Sequence, residues 1–259
     1  MLATATFRLA LMAAAAIAAC STAVMAQQSR CADCHFANPP QGLSTPSGDA
    51  TRHLRDYDLS AHAKAGVGCE RCHGGHPDTF EKMQAHRGML HWGNAKSPVF
   101  RANLPRTCGG CHAAPFVEFQ KSRHYALLQA GNRNVPTCAT CHGEAGENRP
   151  SPKALESECR SCHRADRPGG HPEHPALGRT MLEGVRDART QLKDARRLIE
   201  RVSDKARRAR LEQAAQQVDV PLTQATQAGH AFVYTNLEER LGVARQRLAA
   251  LFDTLANPR

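Results

Sequence analysis

Apolar residues repeat at helical spacing only in the last third of the chain. Steps of three and four residues separate successive apolar positions in two stripes: Val185, Ala188, Leu192, Ala195, Ile199, Val202, Ala206 and Ala209, and then Tyr234, Leu237, Leu241, Ala244, Leu248, Leu251 and Leu255. Such stripes indicate helices that pack along one seam. Because Pro221 and Gly229 separate the two stripes, the sequence predicts an antiparallel helical hairpin over residues 177–259, with a break near Ser203.

Residues 27–176 follow no such pattern. Glycine and proline are scattered through this stretch, which holds ten of the 11 cysteines and 13 of the 14 histidines. A stretch of this composition predicts much irregular loop. The chemistry of this region therefore depends on its cysteines and histidines.

Residues 1–26 have the features of a secretory signal peptide. Arg8 precedes an apolar run over residues 9–19, and residues 24–26 form a small-residue cleavage site. Two alternatives stay open: Cys20 closes a lipobox-like sequence, and the segment could remain as an uncleaved anchor. All three interpretations place the rest of the chain outside the cytoplasm. The sequence thus predicts a periplasmic protein that is held at a membrane only if Cys20 carries lipid.

Five segments share the pattern Cys-x-x-Cys-His. Their cysteines are Cys31, Cys34, Cys69, Cys72, Cys108, Cys111, Cys138, Cys141, Cys159 and Cys162, and the histidines that follow are His35, His73, His112, His142 and His163. Two thiols three residues apart can bond to the two vinyl groups at one edge of a porphyrin, and the next residue then coordinates the iron. The pattern predicts five covalently bound haem c groups, with these five histidines as proximal ligands.

Other uses of paired cysteines fit this pattern poorly. Zinc knuckles combine two CxxC pairs into four ligands, and five pairs each followed by histidine have the wrong count. A thioredoxin-like motif requires a βαβ context, which the sequence does not show. Disulfides are common in exported proteins but give no reason for a histidine after every pair.

An internal repeat surrounds four of the motifs. Each copy consists of a motif, a Ser-x-His triplet and a second motif followed by glycine, and the copies cover residues 31–74 and 108–143. The triplets are Ser60-Ala61-His62 and Ser122-Arg123-His124. The matched position predicts one common role for His62 and His124, as sixth ligands to iron.

The remaining sixth ligands are less strongly marked. His76 follows the second motif at a short offset, and either His171 or His174 follows the fifth motif in a loop rich in glycine and proline. His230 points toward the seam of the last helix, where it is either a ligand or a packed interior histidine. Three other histidines are interpreted as surface or propionate-contacting residues: His53, His86 and His91.

Haem also bears on the predicted fold. Aromatic residues make up only 5% of the chain, so side chains alone would form a small core. We therefore expect porphyrins to form much of the apolar interior of residues 27–176. The predicted fold class is mainly α with much irregular loop: a haem-packed multihaem cytochrome domain followed by the C-terminal helical hairpin.

The motifs resemble a known superfamily. Cys-x-x-Cys-His, then Phe119-x-x-Ser122-x-His124, then Cys138-x-x-Cys-His-Gly are similar to the multihaem c-type cytochromes that include the tetrahaem cytochrome of hydroxylamine oxidation, octahaem hydroxylamine oxidoreductase and pentahaem nitrite reductase. The segment from Gly229 through Leu241 also looks like the helical tail of these proteins. The resemblance implies stacked haems, most of them with two histidine ligands. Pentahaem nitrite reductases carry lysine in place of one proximal histidine, whereas all five motifs here end in histidine, which argues against ammonia-forming nitrite reduction.

The sequence favours an electron carrier over an enzyme. Two histidine ligands close both axial positions of a haem iron, which suits electron transfer. The expected partners are redox proteins: a quinol dehydrogenase, a terminal reductase or another cytochrome. The alternatives are a small multihaem reductase acting on a nitrogen or sulfur oxyanion or on NO at one five-coordinate haem, and a haem-based sensor or assembly module.

The positive charge does not change this picture. The formal net charge is +10, but five haems lower it because their ionised propionates outweigh the charge of the iron. Together with export from the cytoplasm, this argues against nucleic acid as a partner.

Overall fold

The computed structural model describes residues 29–38, 44–45, 48–147, 149–167 and 170–257, with residues 44–45 and 48–49 described by their backbone alone. The predicted signal peptide and Cys20 lie outside the described residues. The elements in chain order are α1 (Arg30–Ala37), β1 (Ser44–Thr45), β2 (Gly48–Asp49), α2 (Ala50–Leu59), α3 (Ala61–Lys64), α4 (Glu70–His73), α5 (Lys82–Ala85), α6 (Leu104–Gly109), α7 (Ala113–Gln120), α8 (Arg123–Gln129), α9 (Cys138–His142), α10 (Pro152–Arg160), α11 (His174–Glu200), α12 (Lys205–Ala228), a 3₁₀ turn (Gly229–Ala231) and α13 (Tyr234–Ala256). The mainly α fold class is confirmed.

The first ten helices are short and are separated by turns. The two strands form an antiparallel pair of two residues each, in which Ser44 pairs with Asp49 and Thr45 with Gly48. Proline and glycine limit the helices of this region: Pro105 and Pro152 lie in the first turns of α6 and α10, and Gly74 and Gly143 end α4 and α9 at positive φ. The region is thus a series of helices of four to ten residues joined by turns and loops.

The C-terminal tail consists of three long helices, one more than the predicted hairpin. The break expected near Ser203 lies between α11 and α12, at residues 201–204. Asp204 causes it, because its carboxylate accepts a hydrogen bond from the backbone N–H of Arg207 at 2.6 Å and thereby caps a new helix. The connection to α13 lies at the 3₁₀ turn and Phe232–Val233 instead.

Pro221 does not end a helix, contrary to the prediction. It lies inside α12 and has no N–H to donate to the carbonyl of Gln217, four residues earlier. Arg247 of α13 supplies the missing donor, because its guanidinium donates to that carbonyl at 2.6 Å. The helix continues through the proline because a neighbouring helix satisfies the orphaned carbonyl.

The tail contains most of the buried apolar side chains. Buried residues follow the predicted stripes on α11 and α13 and a third stripe on α12: Val185, Ala188, Leu192, Ala195 and Ile199; Leu237, Leu241, Ala244, Leu248 and Leu251; Leu211, Ala215, Val218, Leu222, Ala225 and Ala228. These side chains form one continuous core. In the part of the chain that the structure describes, no helix is both long enough and apolar enough to cross a membrane.

The tail packs against the motif-bearing region through α10. Arg179 on α11 donates to Glu156 on α10 at 3.2 Å and to Glu183 on its own helix at 2.8 Å. Tyr234, at the start of α13, donates its hydroxyl to the carbonyl of His174 at 3.0 Å. These contacts hold the N-terminal ends of α11 and α13 beside the fifth motif.

Candidate haem sites

Each Cys-x-x-Cys-His motif forms one turn of helix. The backbone N–H of the histidine donates to the carbonyl of the first cysteine in the second, third and fifth motifs, at 2.9, 2.8 and 2.9 Å, and the first and fourth motifs lie within α1 and α9. Residues three and four apart share one face of a helical turn. Both thiols and the imidazole therefore project from the same side, which is the arrangement that attachment of one porphyrin requires.

Every proximal histidine faces a second histidine ring. The pairs and the distances between their ring centroids are His35 with His86 at 5.9 Å, His73 with His53 at 5.9 Å, His112 with His62 at 5.8 Å, His142 with His230 at 6.2 Å, and His163 with His124 at 5.9 Å. Ten of the 14 histidines are thus arranged in five pairs of nearly equal separation.

These separations fit one metal ion between the two rings of each pair. Imidazoles bound on opposite sides of a metal at about 2.0–2.1 Å have their bonded nitrogens about 4 Å apart and their ring centroids about 6 Å apart. The Nε2 atoms of His62 and His112 lie 3.5 Å apart, close to that value. The histidines, together with the thiols beside them, fit haem iron with two axial imidazoles.

Backbone carbonyls orient several of these rings. The Nδ1 atom of His62 donates to the carbonyl of Ala145 at 2.8 Å, and the Nδ1 atom of His86 donates to the carbonyl of Lys82 at 2.7 Å. The same bond joins His163 to Gly170 at 2.6 Å and His230 to Gln227 at 3.1 Å. Because a carbonyl oxygen only accepts, Nδ1 must carry the proton, which leaves the lone pair of Nε2 for a metal.

Burial keeps several paired histidines neutral. Burial, and then the nearby rings of His53 and His35, lower the pKa of His73 to about 4. Burial, and then the rings of His163 and His174, lower the pKa of His124 to about 4. A neutral imidazole has the free lone pair that coordination to a metal requires.

The Ser-x-His triplets are helix starts. Ser60 and Ser122 are buried, and each hydroxyl accepts a hydrogen bond from the backbone N–H three residues later, at 3.1 and 3.0 Å. This caps α3 and α8 and places His62 and His124 at the second position of each helix. His62, in the first copy of the repeat, faces His112 of the third motif. His124, in the second copy, faces His163 of the fifth motif.

His230 reaches the fourth motif from the tail. It lies in the 3₁₀ turn between α12 and α13 and stacks on His142 with 16° between the ring planes. Phe232, at a φ of 54°, follows it and packs against His124 with 4.8 Å between ring centroids. The tail thus contributes one ring to the fourth pair and covers one ring of the fifth.

Two histidines interpreted as surface residues lie in pairs. His53 on α2 faces His73, with its Nδ1 3.6 Å from a carboxylate oxygen of Glu144. His86 follows α5 and faces His35. Neither histidine has a counterpart in the second copy of the repeat. The only sequence signal for them was therefore the number of proximal histidines that still needed a partner.

The structure places His76 and His171 elsewhere. The backbone N–H of His76 donates to the carbonyl of Ala85 at 2.9 Å, which holds the chain next to His86. His171 stacks on His174 with 4.7 Å between ring centroids. Among the described residues, neither ring pairs with a proximal histidine at the separation that the five pairs share.

The thiols of successive motifs lie near one another, in chain order. Burial, and then the thiol of Cys31, raise the pKa of Cys69 to about 11. Burial, and then the thiol of Cys108, raise the pKa of Cys72. A hydrogen bond with the thiol of Cys138 raises the pKa of Cys108. Burial, and then Cys159, raise the pKa of Cys141 to about 11. Each motif therefore lies beside the next, from the first to the fifth.

Residues 94–164 match the family model of cytochrome c7 and related cytochrome c. The matched segment contains the last three motifs and the His124–His163 pair. No curated protein and no solved structure matches the chain. Over this segment the chain is similar to a family of c-type cytochromes, and the paired histidines fit that likeness.

Proposed function

We propose that this protein is a periplasmic pentahaem electron carrier whose haems all have two histidine ligands. The observation that carries the proposal is that each of the five proximal histidines faces a second histidine at 5.8–6.2 Å. The proposed sixth ligands are His86, His53, His62, His230 and His124, for the first to the fifth motif in order.

Haem supplies a one-electron iron couple when bound. The residues of the chain would contribute the rest: ten thiols would hold the porphyrins, and the paired imidazoles, four of which donate Nδ1–H to backbone carbonyls, would hold the iron. Because an axial histidine on each side leaves no position for a substrate, this arrangement favours electron transfer over catalysis. An enzyme acting on a nitrogen or sulfur oxyanion would require one of the five pairs to open.

The order of the motifs supports a path for electrons. The thiols of Cys108 and Cys138 are hydrogen-bonded, and those of Cys31 and Cys69, Cys72 and Cys108, and Cys141 and Cys159 lie near enough to influence one another electrostatically. Porphyrins attached to these thiols would lie close together, so an electron that enters at one end of the series could pass to the other. In this proposal a quinol dehydrogenase or redox enzyme exchanges electrons with one end of the series, and a periplasmic partner exchanges electrons with the other end.

Intact mass and electron paramagnetic resonance test the proposal on the purified protein. We expect a mass with five haems, an N-terminus at Gln27 and only low-spin signals from the oxidised protein. A high-spin signal accompanied by CO binding would favour the enzyme. Fewer than five haems in mature material would contradict the pentahaem assignment, and an acylated Cys20 would show that the protein is a lipoprotein.

A further inference from the structure

Three metal-ligating side chains form a cluster outside the five histidine pairs. His171, Glu173 and His174 lie where the loop after the fifth motif enters α11, and their ligand atoms all lie within 4.8 Å of one another. Nδ1 of His171 is 3.3 Å from Oε1 of Glu173, and Nε2 of His174 is 3.7 Å from the same oxygen. Two imidazole nitrogens thus converge on one carboxylate oxygen.

The two distances to the carboxylate of Glu173 are close to those between neighbouring ligands in a metal coordination shell. Bonds of about 2.0–2.2 Å to nitrogen and oxygen place neighbouring ligands of a tetrahedral metal about 3.4 Å apart. We propose that His171, Glu173 and His174 bind one divalent transition-metal ion of the zinc type, with water at the fourth position. Two imidazoles and one carboxylate are a ligand set that favours Zn²⁺ or Cu²⁺ over Ca²⁺ or Mg²⁺, which prefer oxygen ligands alone.

The surrounding structure fixes the cluster in place. His174 is the first residue of α11, and its carbonyl accepts the hydroxyl of Tyr234 at 3.0 Å. The ring of Tyr234 also packs against that of His174, with 5.5 Å between centroids. The rings of His171 and His174 are nearly parallel, at 11°. Their side chains are 57% and 34% exposed, so a cation can reach them from solvent.

His174 does not replace His124 as the partner of the fifth motif. Its ring centroid lies 5.2 Å from that of His163, shorter than in all five pairs, whereas His124 lies at 5.9 Å. His174 already faces His171 and Glu173 on its other side. The cluster is therefore a separate site that borders the fifth haem site, and it goes beyond the proposed function.

Isothermal titration of the haem-loaded protein with Zn²⁺ tests this site. Haem attachment occupies the motif cysteines in thioether bonds, which removes them as competing ligands. We expect one Zn²⁺ per chain. His171→Ala and Glu173→Gln should each weaken binding at least about tenfold, since even residues that only support metal ligands change affinity 10–100-fold. His91→Ala is the matched control, because His91 is exposed, lies outside the five pairs and is in no ion pair among the residues that the structure describes.

Cu²⁺ in place of Zn²⁺ gives a second measurement. Its paramagnetic resonance spectrum should show coupling to two nitrogens in the wild-type protein and to one in His171→Ala. Unchanged haem content and unchanged haem spectra in both variants would show that the haem sites remain intact. The proposal is overturned if Zn²⁺ does not bind the wild-type protein, or if His171→Ala and Glu173→Gln retain the wild-type affinity.

Discussion

The motif-bearing region and the tail bury apolar side chains to very different extents. Among the described residues, only three buried hydrophobic side chains lie before α11, namely Phe119, Leu128 and Val135, whereas 17 lie in or between the three tail helices. The tail folds as ordinary helices do, around an apolar seam. The motif-bearing region has most of the large hydrophobic side chains that remain exposed, including Phe36, Phe80, Met83 and Trp92. The proposed haems would account for this contrast, because covalently bound porphyrins would supply apolar mass to the first region.

Removing the haems should unfold the motif-bearing region and leave the tail folded. With all ten motif cysteines replaced by serine, residues 29–167 should lose protection from amide hydrogen exchange, because so few side chains there are buried. Residues 174–257 should stay protected by their own core. Exchange measured region by region in mass spectrometry, with the haem-loaded protein as control, checks this. Equal protection of the first region with and without haem would contradict it.

Removing the tail should leave haem attachment intact but change the spin state of one haem iron. Deletion of residues 177–259 removes His230 while every motif remains, so we expect five haems and a new high-spin signal from the fourth. His230→Ala in the full chain is the matched variant, because it removes the imidazole and keeps the helices. Intact mass and paramagnetic resonance measure both effects. A truncated chain that accumulates without haem would show that the first region depends on the tail for folding.

A cavity in the tail core should destabilise the tail without changing the haems. Leu248 is 1% exposed, and Leu248→Ala should lower the free energy of unfolding of the helices by about 2–5 kcal/mol. Leu198 is 45% exposed on the same bundle, so Leu198→Ala is a control expected to cost well under that amount. Denaturant unfolding followed by far-ultraviolet circular dichroism measures the difference. Equal losses in the two variants would mean that the seam is not the core.

Loss of one distal imidazole should have the most local effect. His62→Ala and His124→Ala should each convert one haem from low to high spin without detaching it, because the thioether bonds and the proximal histidine do not involve these residues. The reduction potential of that haem should rise as a nitrogen ligand is lost. His76→Ala and His91→Ala are the controls and should retain the wild-type spectrum. If His76→Ala changes a haem and His62→Ala does not, the proposed ligand set is wrong.

The sequence by itself determined the features that depend on local spacing. One helical turn places Cys31, Cys34 and His35 on one face, so five repeats of that spacing predict five attachment sites without a structure. Apolar steps of three and four residues likewise located the buried faces of α11 and α13, because helical periodicity is also local. The two Ser-x-His triplets predicted a shared role for His62 and His124, because a serine cap and the histidine two residues later belong to the same helical turn.

Only the tertiary structure decided which histidines meet and where the tail turns. His62 and His112 are 50 residues apart, and His230 comes from the tail to face His142. No local pattern joins such residues, because their approach depends on how separate helices pack. The course of α12 through Pro221 has the same cause. A proline predicts a helix end unless another element satisfies the orphaned carbonyl, and here Arg247 of α13 does so across the bundle.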